Sequence, residues 1–422
     1  MSLLAASVTF VVVASACAGP IVGVGPPGAG GGSSAGERVE HSRPGPTVCE
    51  QPAAGEPAQL ADPDQVALDP RAVADAVAYA SAKGAQSVRI YRHGCLVGRS
   101  WNDPAAERSP MAAWSMAKGV VAVVAGRAVT LGALALDDPI GDHLPGLSPQ
   151  HGAITVRHLL NQTSGLRFAW ANDLNDAANF DSAARVLQRP FEAAPGQQHV
   201  YAQTAVTALV AVVEAAVGDD FQQFAQRELF TPVGIERSQW RWGRDGAGRT
   251  QGFAFLEMSP SGFSRLGSLL LAEGYWRGDQ LIEPSFIAQG RVGSDADPSY
   301  GFLWRTNAGE RRRQTTYTAD DWLERRWIPA APDDTYGLDG MFEQNVFVIP
   351  SLDMVVVRMG LPEALFHDPI GQVRARNPAW SHRFFQILMR GVTDVDVPDP
   401  GEWEPEPDLK IDPRYIIGFD LL

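Results

Sequence analysis

Lysine is the side chain that this 422-residue chain most lacks. Only Lys83, Lys118 and Lys410 occur, although lysine and arginine together number 35. Arginine stays protonated at any working pH and so cannot accept a proton during catalysis. A lysine retained in such a sequence is therefore a candidate for proton transfer, although three lysines could also survive by chance.

Basic charge and metal-binding patterns are scarce as well. The formal net charge of −14 argues against nucleic acid as a partner, because phosphate binding requires a basic surface. The sequence has no H-E-x-x-H motif, no cysteine pair at zinc spacing and no glycine loop that would cradle a phosphate. We therefore expect a globular protein with no nucleic-acid partner, no metal and no cofactor.

Cysteine is limited to Cys17, Cys49 and Cys95. The apolar run at residues 3–16 is too short to span a bilayer comfortably and suits a signal peptide. The small residues before Cys17 resemble a bacterial lipobox, which would make this cysteine lipidated. No Lys or Arg precedes the run, so an uncleaved membrane anchor is the alternative.

This pattern predicts an exported protein, either a cell-surface lipoprotein or an extracellular one, that touches the membrane only through its N-terminal lipid or anchor. Cys49 and Cys95 would then remain as a pair that an oxidising compartment could join. Two unpaired thiols are equally compatible with the sequence.

The composition divides the chain into four parts. After a signal segment at 1–17, residues 18–61 are rich in Gly and Pro and predict a flexible linker. A folded domain is expected at 62–392, and an acidic, proline-rich tail at 393–422. The linker contains a G-x-S-x-G match at 32–36, which we reject because a nucleophile elbow must join a strand to a helix.

Local patterns inside the folded domain predict an α+β fold. Hairpins are expected around His93-Gly94 and around residues 350–353, and helices follow from caps and apolar periodicity. The expected helices begin after Asp69, near Ser115 and at Thr155 with a stop at Gly165, end at Gly218, and close the domain at 378–391. Both chain ends would build an antiparallel sheet flanked by helices, with a mostly helical insertion at about 136–254.

The sequence "WSMAKGVV" places Ser115 and Lys118 three residues apart at the start of an apolar helix. Residues at i and i+3 share a helix face, so the two side chains can meet. The helix N-terminus favours negative charge and, with burial, disfavours an ammonium group, which would leave a neutral amine able to take the serine proton. The alternative is a serine cap beside a lysine whose stem merely covers the helix.

Five further segments follow this motif along the chain. In order, they are "LALDDPIGDHLPGL", "ITVRHLLNQTSGL", "PGQQHVYAQTAVTALVAVVEAAVG", "YGFLWRT" and "NVFVIPSLDMVVVRMG". Together they resemble the serine β-lactamase and penicillin-binding-protein superfamily over about residues 65–392. The nearest likeness is to its class C β-lactamase-like branch, which includes esterases, D-amino-acid peptidases and 6-aminohexanoate-dimer hydrolases. The resemblance implies a β-lactamase/transpeptidase-like fold.

The resemblance also implies roles for single residues. Ser115 would be the nucleophile, Lys118 its base, and Tyr201 a second proton-transfer group. The family's Tyr-x-Asn is Tyr-x-Gln here, so Gln203 would contact substrate through a longer amide arm. A half-buried structural tyrosine is the alternative for Tyr201.

The family's third motif, Lys-Thr-Gly or His-x-Gly, is altered. The best candidate is Leu338-Asp339-Gly340, where Gly340 would keep a close backbone approach and the N–H of Met341 would complete an oxyanion hole with that of Ser115. The motif's cation is lost, which disfavours antibiotic hydrolysis and favours esters or linear amides. Aromatic residues expected to contact substrate are Trp170, Tyr300 and Trp304.

The sequence thus predicts a serine hydrolase of the carboxylesterase or linear-amide hydrolase type. Two alternatives remain open: a non-catalytic surface protein that binds a partner, and a D-alanyl peptidase or weak β-lactamase.

Overall fold

A six-stranded antiparallel sheet forms the centre of the protein in the computed structural model, which describes residues 45–178, 180–313, 322–361, 379–407 and 412–417. Its strands run in the order β2-β1-β13-β12-β11-β8. The strands are β1 (Ala85–Arg92), β2 (Cys95–Arg99), β3 (Met111–Ala112), β4 (Trp240–Trp242), β5 (Leu256–Met258), β6 (Tyr275–Trp276), β7 (Asp279–Gln280), β8 (Arg305–Thr306), β9 (Arg312–Arg313), β10 (Trp322–Leu323), β11 (Tyr336–Gly340), β12 (Gln344–Ile349) and β13 (Met354–Gly360).

Helices cover both faces of this sheet. They are α1 (Pro70–Ala82), α2 (Asp103–Glu107), α3 (Met116–Thr130), α4 (Pro149–Gly152), α5 (Val156–Leu160), α6 (Trp170–Ala177), α7 (Ser182–Val186), α8 (Thr204–Val217), α9 (Phe221–Ala225), α10 (Pro260–Leu271), α11 (Pro284–Gly290), α12 (Ala379–Met389) and α13 (Pro413–Ile417). Helices α1 and α12 pack on one face, and α3 and α10 on the other.

The alternation of side chains along β12 explains the two layers. Val346 and Val348 enter the core with α3 and α10, whereas Phe347 and Ile349 enter the core with α1 and α12. Successive residues of a strand point to opposite faces, so a strand covered on both sides reads as a continuous apolar run. The predicted antiparallel sheet flanked by helices is confirmed.

Helix α3 is the central helix of the fold. Twelve of its fifteen residues are buried, because it lies between β11 of the sheet and helix α8. A helix that is apolar on all sides belongs in the interior of a large domain. The residues at its start are therefore held from several directions at once.

Most predicted caps and turns match the structure. Asp69 caps α1 by accepting the backbone N–H of Arg71 at 2.7 Å, and His93-Gly94 turns the first hairpin with φ of +50° and +75°. Gly165 does not stop the helix capped by Thr155. That helix ends at Leu160, and Gly165 lies in a later loop where a Cβ would come 2.2 Å from the carbonyl oxygen of Ala193.

The packed part of the chain begins earlier than the predicted boundary at residue 62. Cys49 and Cys95 form a disulfide, which ties residues before the boundary to β2. The Arg265 guanidinium donates to the carbonyl oxygens of Pro52, Ala53 and Glu56 at 2.7–3.1 Å. Composition alone could not reveal this docking, because it depends on an arginine more than 200 residues away.

Helices α4 to α9 supply most of the regular secondary structure in the stretch from 136 to 254, with loops between them. A small sheet of β3, β5 and β4 joins it to the strand before α3. Among the described residues, the structure has no helix with the length and apolar character needed to cross a membrane. The predicted signal segment and Cys17 lie outside the described residues.

Candidate active site

Ser115 lies in a strained turn at the start of α3. Trp114, directly before it, has a φ of +49°, in the left-handed region that a bulky side chain rarely adopts. Ser115 is the N-cap residue of α3, yet its hydroxyl makes no capping hydrogen bond within the described structure. The hydroxyl is therefore available beside backbone N–H groups that favour negative charge.

The Lys118 side chain is 1% exposed and reaches back along the same helix face. Its Nζ lies 3.0 Å from Ser115 Oγ, 2.7 Å from Gln203 Oε1 and 3.0 Å from the carbonyl oxygen of Phe253. The ring centroid of Tyr201 is 4.7 Å from the same nitrogen. Three separate parts of the chain thus converge on one amine.

Burial favours a neutral Lys118 amine, because it disfavours the charged form of lysine. The amide oxygen of Gln203 and the carbonyl oxygen of Phe253 accept hydrogen bonds from Nζ, and Ser115 Oγ lies within hydrogen-bonding distance of the same nitrogen. The lone pair of a neutral amine could therefore act on the Ser115 hydroxyl.

Tyr201 and Gln203 are 4% and 5% exposed and lie in the irregular stretch 198–203 before α8. The backbone N–H of Gln203 donates to Asp173 Oδ2 at 2.5 Å. Asp173 is fully buried and forms an ion pair with Arg189 at 3.0 Å. A buried, compensated carboxylate therefore fixes the start of α8 and, with it, the Gln203 side chain.

Gly340, at the end of β11, packs directly against the nucleophile turn. A Cβ at this position would lie 2.5 Å from the carbonyl oxygen of Ala113 and 3.1 Å from the backbone nitrogen of Met116. Only a glycine allows β11 to come this near. The approach brings Met341, the following residue, beside the turn that carries Ser115.

A contact between two aromatic rings joins the turn before Ser115 to the turn after β11. Trp114 and Phe342 meet edge to face with centroids 5.0 Å apart, and both have left-handed backbones, with φ of +49° and +62°. Strained backbone of this kind persists only where the surroundings hold it. The two turns next to the candidate oxyanion donors thus support each other.

A small pocket opens onto Ser115. Its lining consists of Ser115, Tyr201, Tyr300, Leu303, Arg305 and Asp339. Arg305 is 9% exposed, and its Nε lies 3.5 Å from Asp339 Oδ2, while its guanidinium stands 5.2 Å from the Tyr300 ring centroid. The pocket therefore contains a cation and an anion side by side.

A second buried ion pair supports this charged wall. Asp297 Oδ2 lies 3.3 Å from His199 Nδ1, and the His199 ring packs on Tyr300 at 4.8 Å. Burial acts to raise the pKa of Asp297, but the charges of His199 and Arg305 and hydrogen bonds from Ser299 outweigh burial and hold this pKa below its usual value. Arg305 is thus compensated by a carboxylate on either side.

The structure brings most of the predicted site residues together and places two of them elsewhere. Ser115, Lys118, Tyr201, Gln203, Asp339, Gly340 and Tyr300 lie at or next to the pocket. Trp304 is fully buried and donates to the carbonyl oxygen of Gly119, so it is a core residue. Trp170 packs with Phe168 in a separate cluster. Met341, whose backbone N–H is the predicted second oxyanion donor, is 42% exposed.

Sequence reasoning missed three contributors. Arg305 follows Trp304 in "YGFLWRT", and the one signal was a charge directly after an apolar run. Asp173 had no distinguishing pattern, because its role depends on meeting the start of α8 in space. The carbonyl oxygen of Phe253 is a backbone group and leaves no trace in the sequence.

Comparisons with known proteins agree with this geometry. A sequence profile described as Beta-lactamase matches residues 71–360, and the chain belongs to this family. It is 30% identical to the esterase EstB of Burkholderia gladioli over 211 residues, which covers 45% of this chain and 53% of the relative. It is 29% identical to penicillin-binding protein 4* of Bacillus subtilis strain 168 over 116 residues, which covers 26% of this chain and 25% of that protein.

Solved structures show the same fold at low sequence identity. A family VIII carboxylesterase superimposes with a TM-score of 0.56 at 14% identity, covering 76% of this chain and 96% of that chain. EstCE1, a hydrolase with promiscuous acyltransferase activity, gives a TM-score of 0.54 at 18% identity, covering 75% and 97%. The matched regions span about half and a quarter of the two sequence relatives, so those relatives' activities do not transfer directly.

We expect Gly340→Ala to impair chemistry at Ser115, because a Cβ forces β11 away from the nucleophile turn. Loss of one oxyanion donor costs on the order of 10²-fold in rate. The measurement is the second-order rate of labelling by a fluorophosphonate. Gly152→Ala is the control, since its Cβ would make only an ordinary contact at 3.4 Å. Equal labelling rates in the two variants would contradict this account of Gly340.

The half-buried Glu343 carboxyl should make stability depend on pH. Burial raises its pKa to about 7, against the attraction of Arg358, whose Nη2 lies 3.2 Å away, and of Lys83. The protonated Glu343 carboxyl therefore stabilises the fold fully below the pKa that it has in the unfolded chain, about 4.3. This stabilisation is lost as the pH rises through 7.

From pH 5 to pH 8 we expect the wild-type unfolding free energy to fall, relative to Glu343→Gln, by on the order of 1–3 kcal/mol. Denaturant unfolding of both proteins at each pH measures this difference. Glu402→Gln, at an exposed position, should follow the wild type. The same pH dependence in wild type and Glu343→Gln would show that this carboxyl is ionised throughout.

Proposed function

We propose that the protein is a serine hydrolase that cleaves an ester or a linear amide through an acyl-enzyme. The observation that carries the proposal is the environment of Lys118 Nζ: a buried amine, two fixed acceptors for its hydrogens, and Ser115 Oγ at 3.0 Å. A structural lysine that only covers a helix would not need this arrangement.

In the first step Ser115 Oγ attacks the substrate carbonyl carbon while its proton passes to Lys118 Nζ. The carbonyl π electrons move to oxygen and form a tetrahedral oxyanion. The backbone N–H groups of Ser115 and Met341 are the proposed donors to that oxyanion. The close approach at Gly340 supports this, because it sets the end of β11 against the Ser115 turn.

Tyr201 is the proposed route for the proton to the leaving group. Its ring stands against the Lys118 amine, and both Tyr201 and Ser115 line the pocket. When the tetrahedral intermediate collapses, the leaving alcohol or amine takes a proton from this pair and departs. Water then gives a proton to the same pair as it attacks the acyl-enzyme carbonyl carbon, and Ser115 Oγ takes that proton back when its bond to the acyl group breaks and the acid leaves.

Gln203 links this chemistry to substrate binding. Its Oε1 holds Lys118, whereas its Nε2 is buried without a hydrogen-bond partner among the described residues. A buried amide donor without a partner costs free energy unless a ligand accepts its hydrogen bond. We assign that acceptor to a carbonyl oxygen in the acyl part of the substrate.

Two substrate classes fit the pocket. Esters and neutral linear amides come first, because Asp339 occupies the altered third motif and would repel an anionic group; the names of the esterase relatives point the same way. Arg305 supports a second class, amides that end in a carboxylate, such as D-alanyl peptides and β-lactams. Its guanidinium lies in the pocket although the motif itself lacks a cation.

We also propose that the protein is exported. The disulfide between Cys49 and Cys95 supports an oxidising compartment. If Cys17 is lipidated, protein from the native membrane fraction will have an intact mass equal to the chain from Cys17 plus its acyl groups. A mass that corresponds to the chain from Met1 would support the uncleaved membrane anchor instead. A mass that shows no acyl group on Cys17 would rule out the lipoprotein.

The test of the activity uses a p-nitrophenyl ester, a linear amide and a D-alanyl peptide with Ser115→Ala, Lys118→Arg and wild type. Arginine keeps a long side chain with N–H donors but cannot accept the proton, so kcat/KM should fall by about 10²–10⁴-fold. Lys83→Arg is the matched control, because Lys83 lies exposed at the end of α1.

Full activity of Lys118→Arg would exclude lysine as the base. Absence of turnover on all substrates, together with no fluorophosphonate adduct on the wild type, would instead support the non-catalytic binding protein.

A further inference from the structure

The C-terminal helix α13 packs against the stretch that carries Tyr201. Tyr415 is 5% exposed and shares an apolar cluster with Phe168, Ala202 and Ala205. Val200 lies at the edge of the same cluster. Tyr415 therefore meets residues on both sides of Tyr201 in the sequence.

A polar contact adds to this packing. The Tyr415 hydroxyl accepts a hydrogen bond from Gln198 Nε2 at 3.3 Å. Gln198 is the first residue of the irregular stretch 198–203. One C-terminal side chain thus contacts the beginning and the end of the segment that presents Tyr201 to the pocket.

The stretch 198–203 depends on such outside contacts because it lacks the hydrogen bonds of a helix or a strand. Gln162 holds it through the N–H groups of Val200 and Ala202, and Asp173 holds the N–H of Gln203. These bonds fix the backbone. Ala202 and Ala205 leave space beside it, and Tyr415 fills that space.

The acidic tail before α13 is itself docked on the folded domain. Glu406 forms an ion pair with Arg312, and the carbonyl oxygen of Glu404 accepts from Arg325 Nη1 at 2.8 Å. Trp403 stacks between Arg325 and His382, at 4.9 and 5.4 Å. The tail is therefore held by basic and aromatic side chains on its way to α13.

We propose that Tyr415 is a positioning residue for Tyr201, so that the C-terminal segment supports, from behind, the stretch that forms one wall of the pocket. The inference rests on the proposed function, in which Tyr201 relays protons to the leaving group and from water. Loss of the Tyr415 ring lets residues 200–202 shift toward the vacated space, whereas Asp173 still holds the N–H of Gln203 and, through Gln203, the Lys118 amine. Proton relay through Tyr201 then fails, while activation of Ser115 by Lys118 is retained.

Two readouts separate these steps. Turnover of an alkyl ester or a linear amide needs Tyr201 to pass a proton to the leaving alcohol or amine, whereas a fluorophosphonate loses fluoride, a leaving group that needs no proton. We expect Tyr415→Ala to lower kcat about 10-fold or more, since displacement of a positioned group by about 1 Å costs up to 10²-fold. The fluorophosphonate labelling rate should stay within about twofold of wild type.

A double-mutant cycle distinguishes positioning from general support of the fold. In a Tyr201→Phe background, Tyr415→Ala should lower kcat little further, because the relay is already absent. Arg414→Ala, at an exposed position of the same helix, is the matched control and should behave as wild type. Tyr415→Phe keeps the ring and should retain most of the turnover.

The proposal is overturned if Tyr415→Ala turns over normally, if it lowers labelling and turnover together, or if its effect is undiminished in Tyr201→Phe. Failure of the proposed function itself looks different, because wild type would then show neither turnover nor labelling.

Discussion

The hydrogen-bonded amine of Lys118 is the interaction on which the site depends. A lysine that is 1% exposed carries a large desolvation cost when charged. The protein provides Gln203 Oε1 and the Phe253 carbonyl oxygen as acceptors, and these satisfy a neutral amine without a buried positive charge. Ser115 Oγ lies 3.0 Å from the same nitrogen, within reach of the lone pair of a neutral amine. Arginine, which this sequence uses almost everywhere else, could not take this place.

The fold brings each partner of Lys118 from a different element. Helix α3 supplies Ser115 and Lys118 from the centre of the core, and the loop before β5 supplies the Phe253 carbonyl. The segment before α8 supplies Gln203, which Asp173 and Arg189 hold in place. Strand β11 closes the site because Gly340 allows contact with the Ser115 turn. Regular elements thus fix the catalytic helix, and buried polar contacts fix the irregular segment.

Sequence patterns were sufficient for the features that depend on neighbours along the chain. Asp69 and the His93-Gly94 turn could be predicted because caps and tight turns are local, and Ser115 with Lys118 because i,i+3 spacing has a helical meaning. Trp304 was predicted to touch substrate and is instead fully buried, since an aromatic residue in an apolar run carries no sign of the side to which it packs. Arg305, Asp173 and the docking of residues 46–61 on Arg265 depend on contacts between distant parts of the chain, which no local pattern encodes.

The scarcity of lysine makes the central claim directly measurable. With only Lys83, Lys118 and Lys410 in the chain, a protein labelled with ¹³C at lysine Cε gives three signals, and Lys118→Arg identifies the one from Lys118. A pH titration followed by NMR then reports its protonation. The account predicts that Lys118 loses its proton at a lower pH than the other two lysines. A Lys118 signal that remains protonated as long as the others would contradict a neutral amine as the base for Ser115.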